Sequence, residues 1–198
     1  MQIGTGEHTY DWSEKWAKIP DTQSAREGWA HHGIVVSNTG NVISFHQSDP
    51  TVLIFDGDGN LADSWEATVQ NAHGMTLVEE GGEEFLWLAD NLSGQVVKTT
   101  LDGQVVMRID RPDLEVYREG KYSPTDVTVY EERDGGNGDV IVTDGYGSSH
   151  IHHYDKNGNH LGSINGTEGE GGHFATPHGV WIDTRKADAE LYIADRSN

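Results

Sequence analysis

Four segments of the chain open on the same short pattern, a residue followed by Gly or Asp and then an apolar run. They are His32-Gly33-Ile34-Val35-Val36, His73-Gly74-Met75-Thr76-Leu77, Thr125-Asp126-Val127-Thr128-Val129 and His178-Gly179-Val180-Trp181-Ile182, and their first residues lie 41, 52 and 53 positions apart. A second apolar stretch follows each one: Val42 to His46, Leu86 to Asp90, Val140 to Asp144 and Leu191 to Asp195. In the first three units a third stretch then runs into a glycine turn (Asp56-Gly57-Asp58-Gly59, Asp102-Gly103, Asn157-Gly158). A fourth stretch follows the turn, at Leu61 to Trp65, Val105 to Ile109 and Leu161 to Ile164. Period-2 patterning makes these strands, and the short turns join them as hairpins into four-stranded meanders. A meander that is apolar on both faces is stable only when stacked against copies of itself around an axis. The repeat therefore predicts an all-β fold, a β-propeller.

The repeat divides the chain into full blades at 32–72, 73–124 and 125–177 and the first two strands of another at 178–198, about three and a half blades in one partial propeller domain. Residues 1–31 precede the first blade, and Tyr10 to Trp16 within them reads as an outer strand able to complete the last blade. A closed ring needs at least four blades, so the natural protein is expected to be longer. An open ring would leave a strand edge and an apolar blade face uncovered.

Composition narrows the function classes. Thirteen Lys and Arg against 33 Asp and Glu give a formal charge of −20, scattered along the chain. Such a surface repels phosphate backbones and anionic lipid, which argues against nucleic-acid and membrane partners. The 25 glycines against 5 prolines fit many tight turns. With no cysteine, disulfides, thiolate zinc sites and thiol nucleophiles are excluded, and a metal must use His, carboxylate or carbonyl. The opening residues lack the basic and apolar regions of a signal peptide and no window is long enough to span a membrane, so the expectation is cytoplasmic in preference to secreted.

The first strand of each propeller blade lines the central channel, where side chains from different blades converge. His73 and His178, with His32 at the same repeat position, can then present imidazole nitrogens to one divalent metal. The alternative is that a histidine before a turn glycine packs or meets water. Other tempting residues read as structural. His150 and His152 share one strand face opposite His153 and are expected to face solvent. Asp56 to Asn60 reads as a hairpin turn, not a calcium loop, and Gly166 to Gly172 as an inter-blade loop, not a phosphate cradle.

Pro177-His178-Gly179-Val180 with Ala194-Asp195-Arg196, and Pro124-Thr125-Asp126-Val127 with Thr143-Asp144-Gly145-Tyr146, stand in an order that resembles peptidyl-α-hydroxyglycine α-amidating lyases. The opening Gly4-Thr5-Gly6-Glu7-His8-Thr9-Tyr10 resembles them too. The resemblance implies a six-bladed propeller of the NHL-repeat type that cleaves a peptidyl-α-hydroxyglycine to a peptide amide and glyoxylate, and hence a small-molecule or peptide C-terminal substrate as the partner. It implies that His73 and His178 are two of three zinc-binding histidines, the third falling in a later blade. It implies that Tyr146 is the base that deprotonates the substrate hydroxyl, and that Arg196 is a catalytic and substrate-binding residue near the reacting centre. It also implies a structural calcium held partly by the backbone carbonyls of Ile34 and Met75. Where the family carries an arginine for the substrate, this chain has Gln47, which offers hydrogen bonds without charge. Two other functions compete: a noncatalytic propeller that binds a peptide or protein, and a metal-dependent propeller lactonase or hydrolase.

Overall fold

The computed structural model describes residues 1–27, 33–45 and 52–198. It opens on a hairpin of β1 (Gln2–Thr5) and β2 (His8–Asp11), followed by a single helical turn, α1 (Gln23–Glu27). Then come β3 (Ile34–Val36), β4 (Val42–Phe45), β5 (Val52–Phe55) and β6 (Leu61–Trp65) as one four-stranded antiparallel sheet. The second sheet is β7 (Ala72–Glu80), β8 (Glu83–Asp90), β9 (Gln95–Thr100) and β10 (Val105–Ile109). The third is β11 (Asp126–Val129), β12 (Val140–Asp144), β13 (His150–Tyr154) and β14 (His160–Ile164). A last antiparallel pair joins β15 (Pro177–Asp183) to β16 (Glu190–Asp195). Each full sheet is paired in strict chain order, the simplest meander, and the arrangement is an arc of a β-propeller.

The alternation read from the sequence explains how the sheets stack. On β8, Leu86 and Leu88 turn toward the first blade and pack with Ile43, Phe45, Val52 and Ile54, while Trp87 and Ala89 turn toward the third and pack with Val127, Val129, Val140 and Val142. β9 repeats the division one strand outward, Val97 facing the first blade and Val96 the third. The second blade is therefore a slab between two apolar layers, whereas the outer strands turn to solvent: Leu61, Val105 and Leu161 are exposed.

The glycine turns behave as hairpins. In the first blade Gly59 N–H donates to Asp56 O at 3.0 Å, and Asp56 Oδ1 accepts from the backbone of Asp58 and Asn60 at 2.9 Å each. The same arrangement recurs around Asp155 in the third blade, where Gly158 N–H donates to Asp155 O at 2.9 Å. Of the stretch Tyr10 to Trp16, only Tyr10 and Asp11 lie in a strand, because their partners are Ile3 and Gln2 of the same hairpin. Trp16 instead lies against Phe55, with ring centroids 6.2 Å apart, and its indole N–H donates to Gly57 O at 3.2 Å.

If the inter-blade layers carry the stability, Leu88→Ala, at 0% exposure, should cost about 2–5 kcal/mol. Leu161→Ala, at 55% exposure on an outer strand, should stay within about 0.5 kcal/mol of the parent. Urea denaturation of the two variants checks the contrast.

Candidate active site

The histidines anticipated at the channel occupy a special backbone feature. In β7 the register steps from Ala72↔Asp90 to Gly74↔Ala89, and in β15 from Pro177↔Asp195 to Gly179↔Ala194. His73 and His178 are thus the extra, unpaired residues of two β-bulges at the same repeat position. A bulge bends the strand and re-aims the side chain. The glycine after His73 is required by packing: a Cβ on Gly74 would lie 2.3 Å from Asp126 Oδ1 and 2.7 Å from Thr125 O. The next blade presses against the bulge too closely for any larger residue.

The two imidazoles meet, with ring centroids 4.6 Å apart and planes at 78°. Tyr146 lies between them, its Oη 3.2 Å from His73 Nε2 and 2.9 Å from His178 Nε2. Arg196 completes the group: Nη1 donates to the same phenol oxygen at 3.0 Å, and its guanidinium carbon stands 5.2 Å from the tyrosine ring centre. Three side chains from two blades therefore converge on one oxygen atom of a residue from a third. The histidines come from first-strand bulges, whereas Tyr146 and Arg196 come from the loops that follow β12 and β16.

Thr125 links the two histidines. Its carbonyl oxygen lies 2.8 Å from His73 Nδ1, and because a carbonyl only accepts, Nδ1 carries the proton and Nε2 presents a lone pair to the centre. Its buried hydroxyl donates to Pro177 O at 2.9 Å, next to His178. The repeat position that lacks a histidine thus supplies the atom that orients one.

Beside this group a cavity of about 360 Å³ is lined by Gly33, Ile34, Met75, Asp126 and the two histidines. Ile34 and Met75 stand on its wall, on the first strands of neighbouring blades. Asp126, which the sequence pattern presents only as a strand-opening residue, is the carboxylate of the cavity. Its oxygens accept from Val127 N–H at 2.9 Å and from Val180 N–H at 3.0 Å, tying the third blade to the fourth. Burial pushes its pKa up to about 6, against the two backbone bonds that lower it.

Gln47 and His32 lie outside the described residues. The expected solvent exposure of His150 and His152 is corrected in part. The two rings do share a face, stacked 6.0 Å apart, but His152 is fully buried because a segment from before the third blade covers it. His153, on the opposite face, binds Asp139 at 2.6 Å.

As a metal site, the described residues fit half of a zinc set. One imidazole nitrogen has its tautomer fixed for ligation, and both Nε2 atoms point at one locus. Among the described residues no group of three or more His, Asp or Glu side chains is arranged to hold a metal.

Fold and site together define an arc of a β-propeller whose channel mouth carries a His–Tyr–His–Arg cluster. No family model matches the chain. It is 26% identical over 195 residues, covering 84% of this chain and 53% of the relative, to a probable peptidyl-α-hydroxyglycine α-amidating lyase of Caenorhabditis elegans. Among solved structures it is similar to virginiamycin B lyase from Staphylococcus aureus (TM-score 0.59, 17% identity, 84% of this chain and 49% of that one). It is equally similar to a streptogramin B lyase (TM-score 0.60, 17% identity, 84% and 48%). The chain spans about half the length of these proteins. The structural likeness establishes the propeller fold, and the sequence likeness is to a lyase.

Asp126 gives the site a measurable signature in metal-free protein. Its carboxyl carbon resonance should titrate with a midpoint about 6. Between the usual carboxylate range and that midpoint the folded chain holds a proton that the unfolded chain has released. Stability contributed by this group must therefore fall as pH rises through that window and be flat above it. A midpoint near 4 would show the carboxylate to be solvated.

Proposed function

We propose that the protein is a zinc-dependent lyase acting on a small compound that carries a hydroxyl and a carboxylate on one carbon, with peptidyl-α-hydroxyglycine as the leading substrate. The observation that carries this reading is the convergence of His73 Nε2, His178 Nε2 and Arg196 Nη1 on Tyr146 Oη. Likeness to an amidating lyase supports it.

The chemistry follows from the residue types. In a peptidyl-α-hydroxyglycine, loss of the hydroxyl proton lets the oxygen's electrons form a carbonyl as the carbon–nitrogen bond breaks. The amide nitrogen leaves with the bonding pair and takes up a proton, giving peptide amide and glyoxylate. His73 and His178 would hold zinc, which when bound supplies a Lewis acid that polarises the hydroxyl oxygen. As the phenolate, Tyr146 Oη would take the hydroxyl proton and then return it to the leaving nitrogen. The guanidinium of Arg196 carries five N–H donors, of which the bond to Tyr146 uses one. The others suit the substrate carboxylate, a planar acceptor that arginine recognises bidentately. Gln47, if it reaches the substrate, adds hydrogen bonds without a second cation, leaving Arg196 as the charge that selects an acid. The structural calcium proposed at the carbonyls of Ile34 and Met75 would tie the first strands of two blades together beside the histidines.

The test is release of glyoxylate from a peptide ending in α-hydroxyglycine, run on the 198-residue chain and on any reading frame that continues past Asn198. Activity should disappear with a chelator and return with zinc. Tyr146→Phe should lower kcat by about 10²–10⁴-fold while leaving zinc content unchanged. Protein that binds no zinc and releases no glyoxylate would reject the reading in favour of a noncatalytic binding propeller.

A further inference from the structure

The loop that presents Tyr146 is wound around a buried carboxylate. Asp144, fully buried, accepts at Oδ1 from Ser123 N–H at 2.6 Å. At Oδ2 it accepts from Ser148 N–H at 2.6 Å and from the Tyr117 hydroxyl at 2.7 Å, with Ser148 Oγ also 2.7 Å away. Its carbonyl accepts from Ser149 N–H at 3.0 Å, closing the loop over Tyr146. A Cβ on Gly147 would fall 2.1 Å from Asp144 Oδ1, so the backbone passes directly over the carboxylate.

An aspartate at the end of the second strand is a repeating device here, but its partners differ between blades. Asp90 is held by the backbone N–H groups of Gln70, Asn71, Leu92 and Ser93 and by the Ser93 hydroxyl. Asp195 is held by Ala175 N–H and the Asn198 amide. Among the described residues, only Asp144 recruits an aromatic side chain from outside its own turn and the strand before it. Tyr117 arrives on a 3₁₀ turn (Glu115–Tyr117) within the segment that makes the second repeat longer than the first. Its oxygen also lies 2.7 Å from His152 Nε2. Burial holds His152 neutral, at a pKa of about 3, and raises that of Tyr117 well above the usual phenol range, so Tyr117 stays a proton donor to Asp144. With Tyr117 donating, His152 Nε2–H must donate to Tyr117, and His152 Nδ1 then accepts from the Ser163 hydroxyl at 2.7 Å. Every proton in this chain is thereby assigned a direction, ending on Asp144.

We propose that Tyr117, acting through Asp144 and Ser148, is a positioning residue that fixes the Tyr146 phenol between His73 and His178. The catalytic part of this proposal rests on the reading of Tyr146 as the base. Its geometric part stands apart from that reading.

Tyr117→Phe removes one oxygen and keeps the ring; Ile54→Ala, in the apolar layer between the first and second blades and away from the cluster, is the control for loss of stability alone. In the glyoxylate assay Tyr117→Phe should lower kcat by about tenfold with KM within about twofold and should displace the pH profile of kcat. Ile54→Ala should leave both unchanged. Independently of activity, protein labelled with ¹³Cζ-tyrosine, with the Tyr146 resonance identified by its loss in Tyr146→Phe, should show that resonance displaced in Tyr117→Phe and unmoved in Ile54→Ala. An active parent whose kcat, profile and resonance survive Tyr117→Phe overturns the positioning role. An inactive parent in which the resonance does not move overturns the positioning role; an inactive, zinc-loaded parent in which it still moves overturns the base reading and leaves the positioning role standing. Should Tyr117→Phe not fold, Ser148→Ala takes its place with the same expected direction.

Discussion

A four-stranded sheet with apolar side chains on both faces must be covered on both, and everything in this molecule follows from how that requirement is met. Val96 and Val97 are adjacent in sequence yet lie in different apolar layers, each shared with a different neighbouring blade. Because the layers interlock at side-chain resolution, each blade fixes the angle and height of the next. The first strands are thereby brought together at the axis, and residues 52 to 73 positions apart in sequence come within hydrogen-bond distance. A channel-mouth site in this architecture needs no long-range order of its own; it inherits the geometry of the stack.

Repetition and its violations then divide the labour. The repeat supplies the same bulge twice, at His73 and His178, and the same aspartate clasp at Asp90, Asp144 and Asp195. What makes the site particular lies where one copy departs from the others. Thr125 stands where the other anchors carry histidine, and its hydroxyl donates to Pro177 O beside His178. Asp126 stands where the others carry glycine, and it brings a carboxylate into the cavity. The segment between the second and third blades carries Tyr117 to the clasp of Asp144, an aromatic partner that the clasps of Asp90 and Asp195 lack among the described residues. In each case a departure from the repeat adds a polar atom at or behind the cluster.

This pattern also explains what could be read from the sequence. The meanders, the turns and the shared position of His73 and His178 were legible because they are periodic, and period-2 alternation reports which residues face a neighbouring blade. Tyr146 and Arg196 were legible only by resemblance, since nothing in the spacing shows that loops from two blades meet over one oxygen. The bulges were hidden: they appear in the register between strands, a property of pairs that a single segment does not display. His152 was misjudged for a related reason. Alternation placed it on the face of His150, but whether that face is open depends on residues 111–122, whose sequence has no period to follow. Asp126 had a signal that was available, a carboxylate at a position otherwise held by glycine.

The same logic bears on how a site of this kind tolerates change. The interblade layers are broad and redundant, so the loss of one side chain there lowers stability without redirecting the strands. The cluster at Tyr146 is narrow: three donors or acceptors share one oxygen, and each belongs to a different structural device. Moving the bulge, the loop or the clasp by a fraction of a bond length breaks a different contact in each case. Substitutions behind the cluster, at Thr125 or Tyr117, should therefore separate from core substitutions in kind. They disturb the position of the phenol as well as the fold, whereas core substitutions act on the fold, because the apolar layers that hold the blades lie on other residues. Activity, more than melting, would tell the two kinds apart.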